Sequence, residues 1–460
     1  MTQLESLVDL KTLRRFDRPG PRYTSYPTAV EFRDDVGAAE ARLLLSQLPE
    51  SSPVCLYTHL PFCRERCTFC ACHVVATPHQ PVAATYLDYL LREIDLVGEI
   101  LSSSRRALQL HWGGGTPTYF RPEQLVRLFA RFGEYFGLDE DAELAVEADP
   151  RVTTIEHLEA LAALGFNRLS LGVQDFTPVV QAAIGRHQTF DQTQALMTHA
   201  RSLGFVGGIN VDLVYGLPGQ TEASFRENLR QVVGLRPDRV AVYSFAYVPW
   251  LKVNQRRIDK DVLPAPETKL RLYLGALEAF LDAGYTAIGM DHFALPDDEL
   301  AVAASEGRLE RNFMGYTVKP AATTLAFGLS AIGDLGGGYV QNAKKLSHYY
   351  QALDRGELPV ERGRLLRGDD ELRRWVISRL LCGFEVDKKE VTRRFEIDFE
   401  DYFAEALSDL GDMRNEGMIE EDDRWLRVVG TGRLFVRNAA MAFDRYLRRA
   451  APKPVFSRTI

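Results

Sequence analysis

Between residues 54 and 246 the chain alternates short apolar runs with amphipathic stretches. The runs are VCLYTHL (54–60), ALQLHWGG (107–114), AELAVEAD (142–149), FNRLSLGVQ (166–174), INVDLVYG (209–216) and RVAVYSFA (239–246). Between them, YLDYLLREIDLVGEIL (86–101), EQLVRLFARFGEYFG (123–137) and TQALMTHARSLGF (193–205) repeat apolar residues at helical spacing. Near-continuous apolar strands separated by helices are the mark of βα units, whose parallel sheet is covered by its own crossovers. Six such units predict an α/β fold, a partial (β/α)6 barrel. YTAIGMDHFAL (285–295) predicts one more strand after a long helix. Beyond about residue 335 the pattern turns to charged helices with a short hairpin at MIEEDDRWLRVVG (418–430), which predicts a small, mostly helical, winged-helix-like domain. The expected division is an N-terminal extension (1–50), a central domain carrying the site (51–335) and a C-terminal domain (336–460).

Composition narrows the function classes. The chain has 460 residues, of which 46% are apolar and 26% charged, an ordinary globular balance. Its net charge of −8 argues against nucleic acid, which needs a basic face, and the acidic run Glu420–Asp423 suits DNA badly. MTQLESLVDLKTLRRFDRPG is too polar for a secretory signal, and no run approaches the length of a membrane span. The expectation is therefore a reducing cytoplasm, where disulfides are disfavoured. Cys55 and Cys382 then read as small buried residues.

The other four of the six cysteines fall within CRERCTFCAC, residues 63–72, just after the first predicted strand. In a βα barrel the active groups sit at the carboxyl ends of the strands. The ends collected here are the cysteine cluster, GGGTP (113–117), Glu147, Gln174 and Asp212. A polar group inside an apolar run must find a partner or bind something. Cys63, Cys67 and Cys70 follow C-x3-C-x2-C, and no second pair follows at the spacing of a structural zinc site. Three thiolates suit an iron–sulfur cluster instead, with one iron open to another ligand. The glycine run lets main chain approach a ligand that side chains would block.

These residues resemble the radical S-adenosylmethionine enzymes, whose hallmark is C-x3-C-x2-C. Within that superfamily the chain resembles the oxygen-independent coproporphyrinogen III oxidase family almost end to end. GPRYTSYPTAVEF (20–32), YTHLPFC (57–63), HWGGGTPTYF (111–120), FNRLSLGVQDF (166–176), GMDHFALPDDELAVA (289–303) and FSRTI (456–460) carry the likeness. The resemblance implies one [4Fe–4S] cluster on Cys63, Cys67 and Cys70, and S-adenosylmethionine cleaved to a 5′-deoxyadenosyl radical. It further implies oxidative decarboxylation of two propionates of coproporphyrinogen III to vinyl groups, giving protoporphyrinogen IX in haem biosynthesis. Tyr57, Gly114, Glu147 and Ile332 match family contacts to the cluster-bound S-adenosylmethionine. Phe69, Gly115, Thr116, Gln174, Arg186, Asp212 and Ala246 match contacts to a second S-adenosylmethionine, and Gly113 stands in the same glycine run.

The catalytic assignments are Cys72, Glu147 and Asp212, with Cys72 expected close to the cluster without ligating it, because a fourth thiolate would close the open iron. A reduced flavodoxin- or ferredoxin-type donor and a monomer are expected. Two departures from the family pattern bear on the second cofactor and the substrate pocket: Met314 stands where glutamine is expected, and Tyr247 where histidine is expected. Arg22, Lys252, Arg256, Arg257, Arg311 and Lys319 are candidates for holding the substrate's carboxylates. The alternative function is that of the haem-binding paralogues, which lack the GPRYTSYP segment and carry an aromatic residue where this chain has Cys72.

Overall fold

A computed structural model describes residues 10–319, 321–448, 456 and 458. The first nine residues of the polar N-terminal stretch, and Ser457, Thr459 and Ile460 of FSRTI, lie outside the described residues. All six predicted strands form: β1 (Val54–Leu60), β2 (Arg105–Gly114), β3 (Phe136–Ala148), β4 (Arg168–Gln174), β5 (Ile209–Tyr215) and β6 (Arg239–Ser244). They pair in parallel in chain order. The crossovers are α1 (Pro81–Leu101), α2 (Pro122–Tyr135), α3 (Ile155–Ala163), α4 (Phe190–Ser202) and α5 (Glu222–Leu235). β1 is buried at six of seven positions, as a strand covered on both faces must be. β4 alternates buried with half-buried residues, so one of its faces turns to a less crowded interior. Thr189 and Thr221 cap α4 and α5 by accepting from Gln192 N and Ser224 N, both at 3.1 Å.

The run 285–295, expected as a single strand, is instead a tight hairpin. After α6 (Pro266–Asp282), β7 (Thr286–Ile288) and β8 (His292–Ala294) pair antiparallel with each other, and β8 pairs antiparallel with β6. The reason is local: Gly289 has φ +57 and turns the chain at GMDH, inside the run. The sheet also grows on the other side. β9 (Thr323–Phe327) lies parallel to β1, and β10 (Ile332–Leu335), β11 (Gly338–Asn342) and β12 (Val360–Leu365) follow antiparallel. The composition change expected at 335 therefore falls between two paired strands.

The described part of the C-terminal region packs Gly368–Gly383, Lys388–Phe395 and shorter helices on a three-stranded antiparallel sheet, Glu385–Asp387, Trp425–Val428 and Ile419–Glu421. The expected hairpin is present, with one added strand. Its acidic run works inside the domain, where Glu421 holds the buried Lys388 at 2.7 Å and Asp422 accepts from Trp425 N at 2.7 Å. The apolar core of this region takes in Leu13, Phe16, Tyr23 and Tyr26 from the chain's beginning. The N-terminal segment is thus fastened to the C-terminal domain, and Arg22 within it lines the cavity at the carboxyl ends of the strands.

Candidate active site

The loop after β1 carries the cysteines, and its main chain is pinned on every side. Thr68 N and Oγ1 bond Ile184 O at 3.0 Å and Ala183 O at 3.1 Å. Asn254 Nδ2 donates to Cys67 O, Thr68 O and Cys70 O at 3.2, 2.9 and 2.9 Å. Gln255, fully buried, donates through Nε2 to Phe69 O at 3.0 Å and Ala246 O at 2.9 Å, and accepts from Val248 N at 2.6 Å. This one amide ties the first strand's loop to the sixth strand's end. Gln255→Leu keeps the volume but strands three buried main-chain groups, so it is expected to cost about 2–4 kcal/mol of stability. Iron should also be lost to a chelator roughly tenfold faster, as when a metal site loses its outer support. Denaturant unfolding and timed iron release measure the two effects.

Cys63, Cys67, Cys70 and Cys72 all line one cavity of about 500 Å3 at the carboxyl ends of the strands. None is in a disulfide. Burial pushes the Cys63 thiol up to about 11, against the Thr116 hydroxyl 3.3 Å from its sulfur. Cys67 receives donors from Arg151 at 3.7 Å and Arg186 at 3.9 Å. Cys70 is held below the usual thiol range by a hydrogen bond from Cys72, and the same contact pushes Cys72 up. Cys72 is exposed where it lines the cavity. Among the described residues no three Cys, His, Asp or Glu side chains converge on a single metal ion. Three thiolates spread around a cavity fit a polynuclear cluster, which is wider than one ion.

Directly against the start of the loop, where Gly115 N and Thr116 N donate to Leu60 O and Phe62 O at 2.9 Å, the glycine run is required by close approach. A Cβ on Gly115 would meet Pro61 C at 2.6 Å, and one on Gly113 would meet the Glu147 carboxyl at 2.8 Å. Gly114 has φ +113, and its Cβ would strike His59. Glu147 accepts from Gly114 N at 3.0 Å and His111 Nε2 at 3.3 Å. Burial alone would raise its pKa, but these donors outweigh it and hold the carboxyl below its usual value. His59 Nε2 donates to His73 O at 2.8 Å, so its Nδ1 accepts the Tyr57 hydroxyl at 3.0 Å. Burial takes His59 down to about 4, which keeps it neutral. Asp212 behaves oppositely to Glu147. Burial and the Glu147 charge push it up to about 6, although Asn210 and Ser170 donate to it at 2.8 and 3.2 Å.

The cavity also receives Phe69, Gly114, Gly115, Thr116, Gln174, Arg186 and Ala246. Gln174 has φ +69, a costly conformation for a side chain with a Cβ, and strain of this kind gathers at functional sites. Arg186, expected to offer a fork to a ligand carboxylate, already holds Asp149 at 2.9 Å and Gly172 O. Gly113 and Tyr57 stand behind the wall, Tyr57 stacked on His111 with centroids 5.9 Å apart. Ile332 lies at the same rim, at the start of β10 beyond β1 and β9, and does not line the cavity. Met314 sits in the turn of the hairpin Glu310–Thr317 and also stands off the wall, while Tyr247 packs with Phe245 just past the end of β6.

Sequence reasoning missed Asp149 and Arg151, whose ion pair of 2.7 Å, shared with Arg186, backs Cys67. The signal was available, because Asp149 follows Glu147 by two residues at the same strand end. It also missed His59, His111, Ser170 and Asn210, polar residues inside the apolar runs. Among the carboxylate-binding candidates, Lys319 is at the opposite end of the barrel, paired with Asp141 at 3.3 Å.

Residues 57–232 match the Radical SAM superfamily, and residues 366–435 match the HemN C-terminal domain. Fold, cysteine loop and this match together define a radical S-adenosylmethionine protein. The oxygen-independent coproporphyrinogen III oxidase of Escherichia coli (strain K12) is 44% identical over 452 residues, 98% of each chain. That of Helicobacter pylori (strain J99) is 42% identical over 458 residues, 98% of this chain and 99% of the other. The solved structure of the Escherichia coli enzyme, described as a radical SAM enzyme, superposes with a TM-score of 0.90 at 42% identity, covering 95% of this chain and 99% of that one. The chain belongs to the oxygen-independent coproporphyrinogen III oxidase family.

Proposed function

We propose that this protein decarboxylates two propionates of coproporphyrinogen III to vinyl groups without oxygen, giving protoporphyrinogen IX. The observation that carries this is the coincidence, in one cavity, of the three-cysteine loop with Glu147, Asp212 and the glycine wall, in a chain with 98% coverage of an oxidase of that name. From each propionate the β carbon gives up a hydrogen atom, the carboxylate leaves as carbon dioxide and the remaining electron passes to an external one-electron acceptor, so a double bond remains. An iron–sulfur cluster on Cys63, Cys67 and Cys70, when bound with S-adenosylmethionine, supplies the reducing electron and the hydrogen-abstracting radical.

The chain's own residues bind and orient. The Gly113–Gly115 main chain gives close access, the Glu147 carboxylate meets an ammonium or hydroxyl group, and Asp212 takes a ribose hydroxyl or a second ammonium group. The walls keep water from the reacting carbon. Tyr57, Gly114, Glu147 and Ile332 serve the first S-adenosylmethionine in this reading. Phe69, Gly115, Thr116, Gln174, Arg186, Asp212 and Ala246 serve a second, with the Arg186 contribution limited by its hold on Asp149. A flavodoxin- or ferredoxin-type donor, a monomer and a cytoplasmic setting complete the proposal. No helix among the described residues is long and apolar enough to cross a membrane. We place the break before the C-terminal domain near residue 366, because β11 and β12 hydrogen-bond into the main sheet.

The test is an anaerobic assay on reconstituted protein that follows carbon dioxide and 5′-deoxyadenosine from coproporphyrinogen III. Two equivalents of carbon dioxide per substrate support the reading, and 5′-deoxyadenosine without carbon dioxide contradicts it. Cys72→Ser is expected to keep wild-type iron and sulfide content while decarboxylation falls at least tenfold. Loss of the cluster in that variant would make Cys72 a ligand.

A further inference from the structure

Of the six basic residues nominated by the sequence, Arg22 lines the cysteine cavity, Arg311 stands with it near Asp291, and Lys252 lies near Cys70 and Cys72 without lining the cavity. Arg22 arrives from the N-terminal segment, outside the barrel. Its guanidinium lies 5.2 Å from the ring of Tyr243, another residue of the wall, and pairs with Asp291. It also lines a second, smaller chamber of about 40 Å3, shared with Asp291, Arg437, Ser244, Tyr215 and Tyr273. The side chain thus lines both the large cavity and a small recess, part of whose wall is the Asp291 carboxylate that it already holds. Its one hydrogen bond among the described residues uses a single nitrogen of a five-donor fork.

The main chain around Arg22 is held far more firmly than an extension covering a barrel requires. Pro21 O accepts from Arg437 at 3.0 Å, and Gly20 O accepts from the same guanidinium. The next residue, Tyr23, is buried, sits at φ +50 and gives its hydroxyl to Asp444 at 3.0 Å. A left-handed conformation at a non-glycine residue costs energy and persists only where the surroundings enforce it. Asp291, the anchor, is held ionised against its own burial by Arg22, by His292 at 2.7 Å and by the nearby Arg311. Arg311 keeps two buried guanidinium nitrogens without a partner among the described residues, so Asp291 faces more positive charge than it neutralises.

Resting on the proposed function, we propose that Arg22 is a substrate-positioning residue that binds one propionate carboxylate in the cavity that the cysteine loop also lines. The N-terminal segment is then part of the active site. A planar fork anchored on one side by Asp291 and supported by the Tyr243 ring is pre-organised for a second carboxylate, and a charge-assisted contact of this type adds direction as well as affinity.

The probe is coproporphyrin III, a stable fluorescent porphyrin with the same four propionates, titrated anaerobically into iron-loaded protein, with its tetramethyl ester as the uncharged control. Arg22→Gln is expected to weaken coproporphyrin III binding roughly 10–100-fold while iron content and ester binding stay as in wild type. Because this change also leaves Asp291 without its arginine, the double variant Arg22→Gln/Asp291→Asn is measured beside it. If Arg22 serves only to neutralise Asp291, the double variant regains both stability and porphyrin binding, and the proposal is overturned. If Arg22 holds the ligand, the double variant regains stability alone, and Arg22→Lys restores part of the affinity. Wild-type protein that binds neither porphyrin would overturn the proposed function itself, a result distinct from intact binding in Arg22→Gln, which removes only this inference.

Discussion

Cys67→Ala protein, purified without oxygen, is expected to be colourless, to hold almost no iron and to cleave no S-adenosylmethionine. The same holds for Cys63→Ala and Cys70→Ala, since removing one thiolate of three leaves the cluster without a facial set of protein ligands. The fold should survive. Only Cys67 of the three is fully buried, and deleting one sulfur there should cost on the order of 1 kcal/mol. Iron and sulfide analysis, the visible spectrum and circular dichroism read the three effects together. A brown Cys67→Ala protein with full iron would remove that residue from the ligand set, and stoichiometric zinc in the wild type would remove the cluster altogether.

Asp212→Asn should move stability and activity in opposite directions. The carboxylate is raised from 3.8 to about 6 in the folded protein by burial first and the Glu147 charge second. The folded state therefore binds the proton more tightly than the unfolded chain, and stability from this group is lost as pH rises from about 4 to about 6. At neutral pH the native state carries an unfavourably placed charge. Replacing it with the neutral amide should stabilise the protein by about 1–2 kcal/mol after allowance for solvent in the cavity. Turnover should fall roughly 10²–10³-fold, as for other lost preorganised polar contacts. Wild-type activity should also decline below about pH 6 as Asp212 takes up its proton, and that limb should vanish in the variant. An Asp212→Asn protein that is less stable and fully active would show a structural carboxylate with no part in binding.

The strand–helix alternation and the cysteine spacing were legible because both are local. A buried parallel strand announces itself in seven residues, and C-x3-C-x2-C occupies eight. The predicted strands 54–60 and 209–216 agree with β1 and β5 to within a residue at either end. The hairpin at 286–294 was read as one strand because apolar patterning does not report the turn at Gly289. β11 and β12 were missed for a related reason. β12, VERGRL, at the edge of the sheet, looks like a charged loop until it is laid against β11, and β11, GYVQN, lies between β10 and β12 with polar Gln341 and Asn342 as buried as its apolar residues.

What the sequence determined by itself was the type of fold and the kind of chemistry, since periodicity, strand ends and thiolate spacing each depend on neighbours in the chain. Which charged groups share a cavity was decided only by the tertiary structure. Glu147 and Asp212 are both acids at strand ends, yet His111 and Gly114 hold one below its usual pKa while burial raises the other. Arg186 looked free to grip a ligand until Asp149 was placed against it, and Lys319 looked equivalent to Arg22 until the barrel set them at opposite ends. Electrostatic energies depend on distance through space and on exclusion of water, and neither is fixed until residues far apart in sequence, such as Arg22 and Asp291, are brought into contact by the packed core.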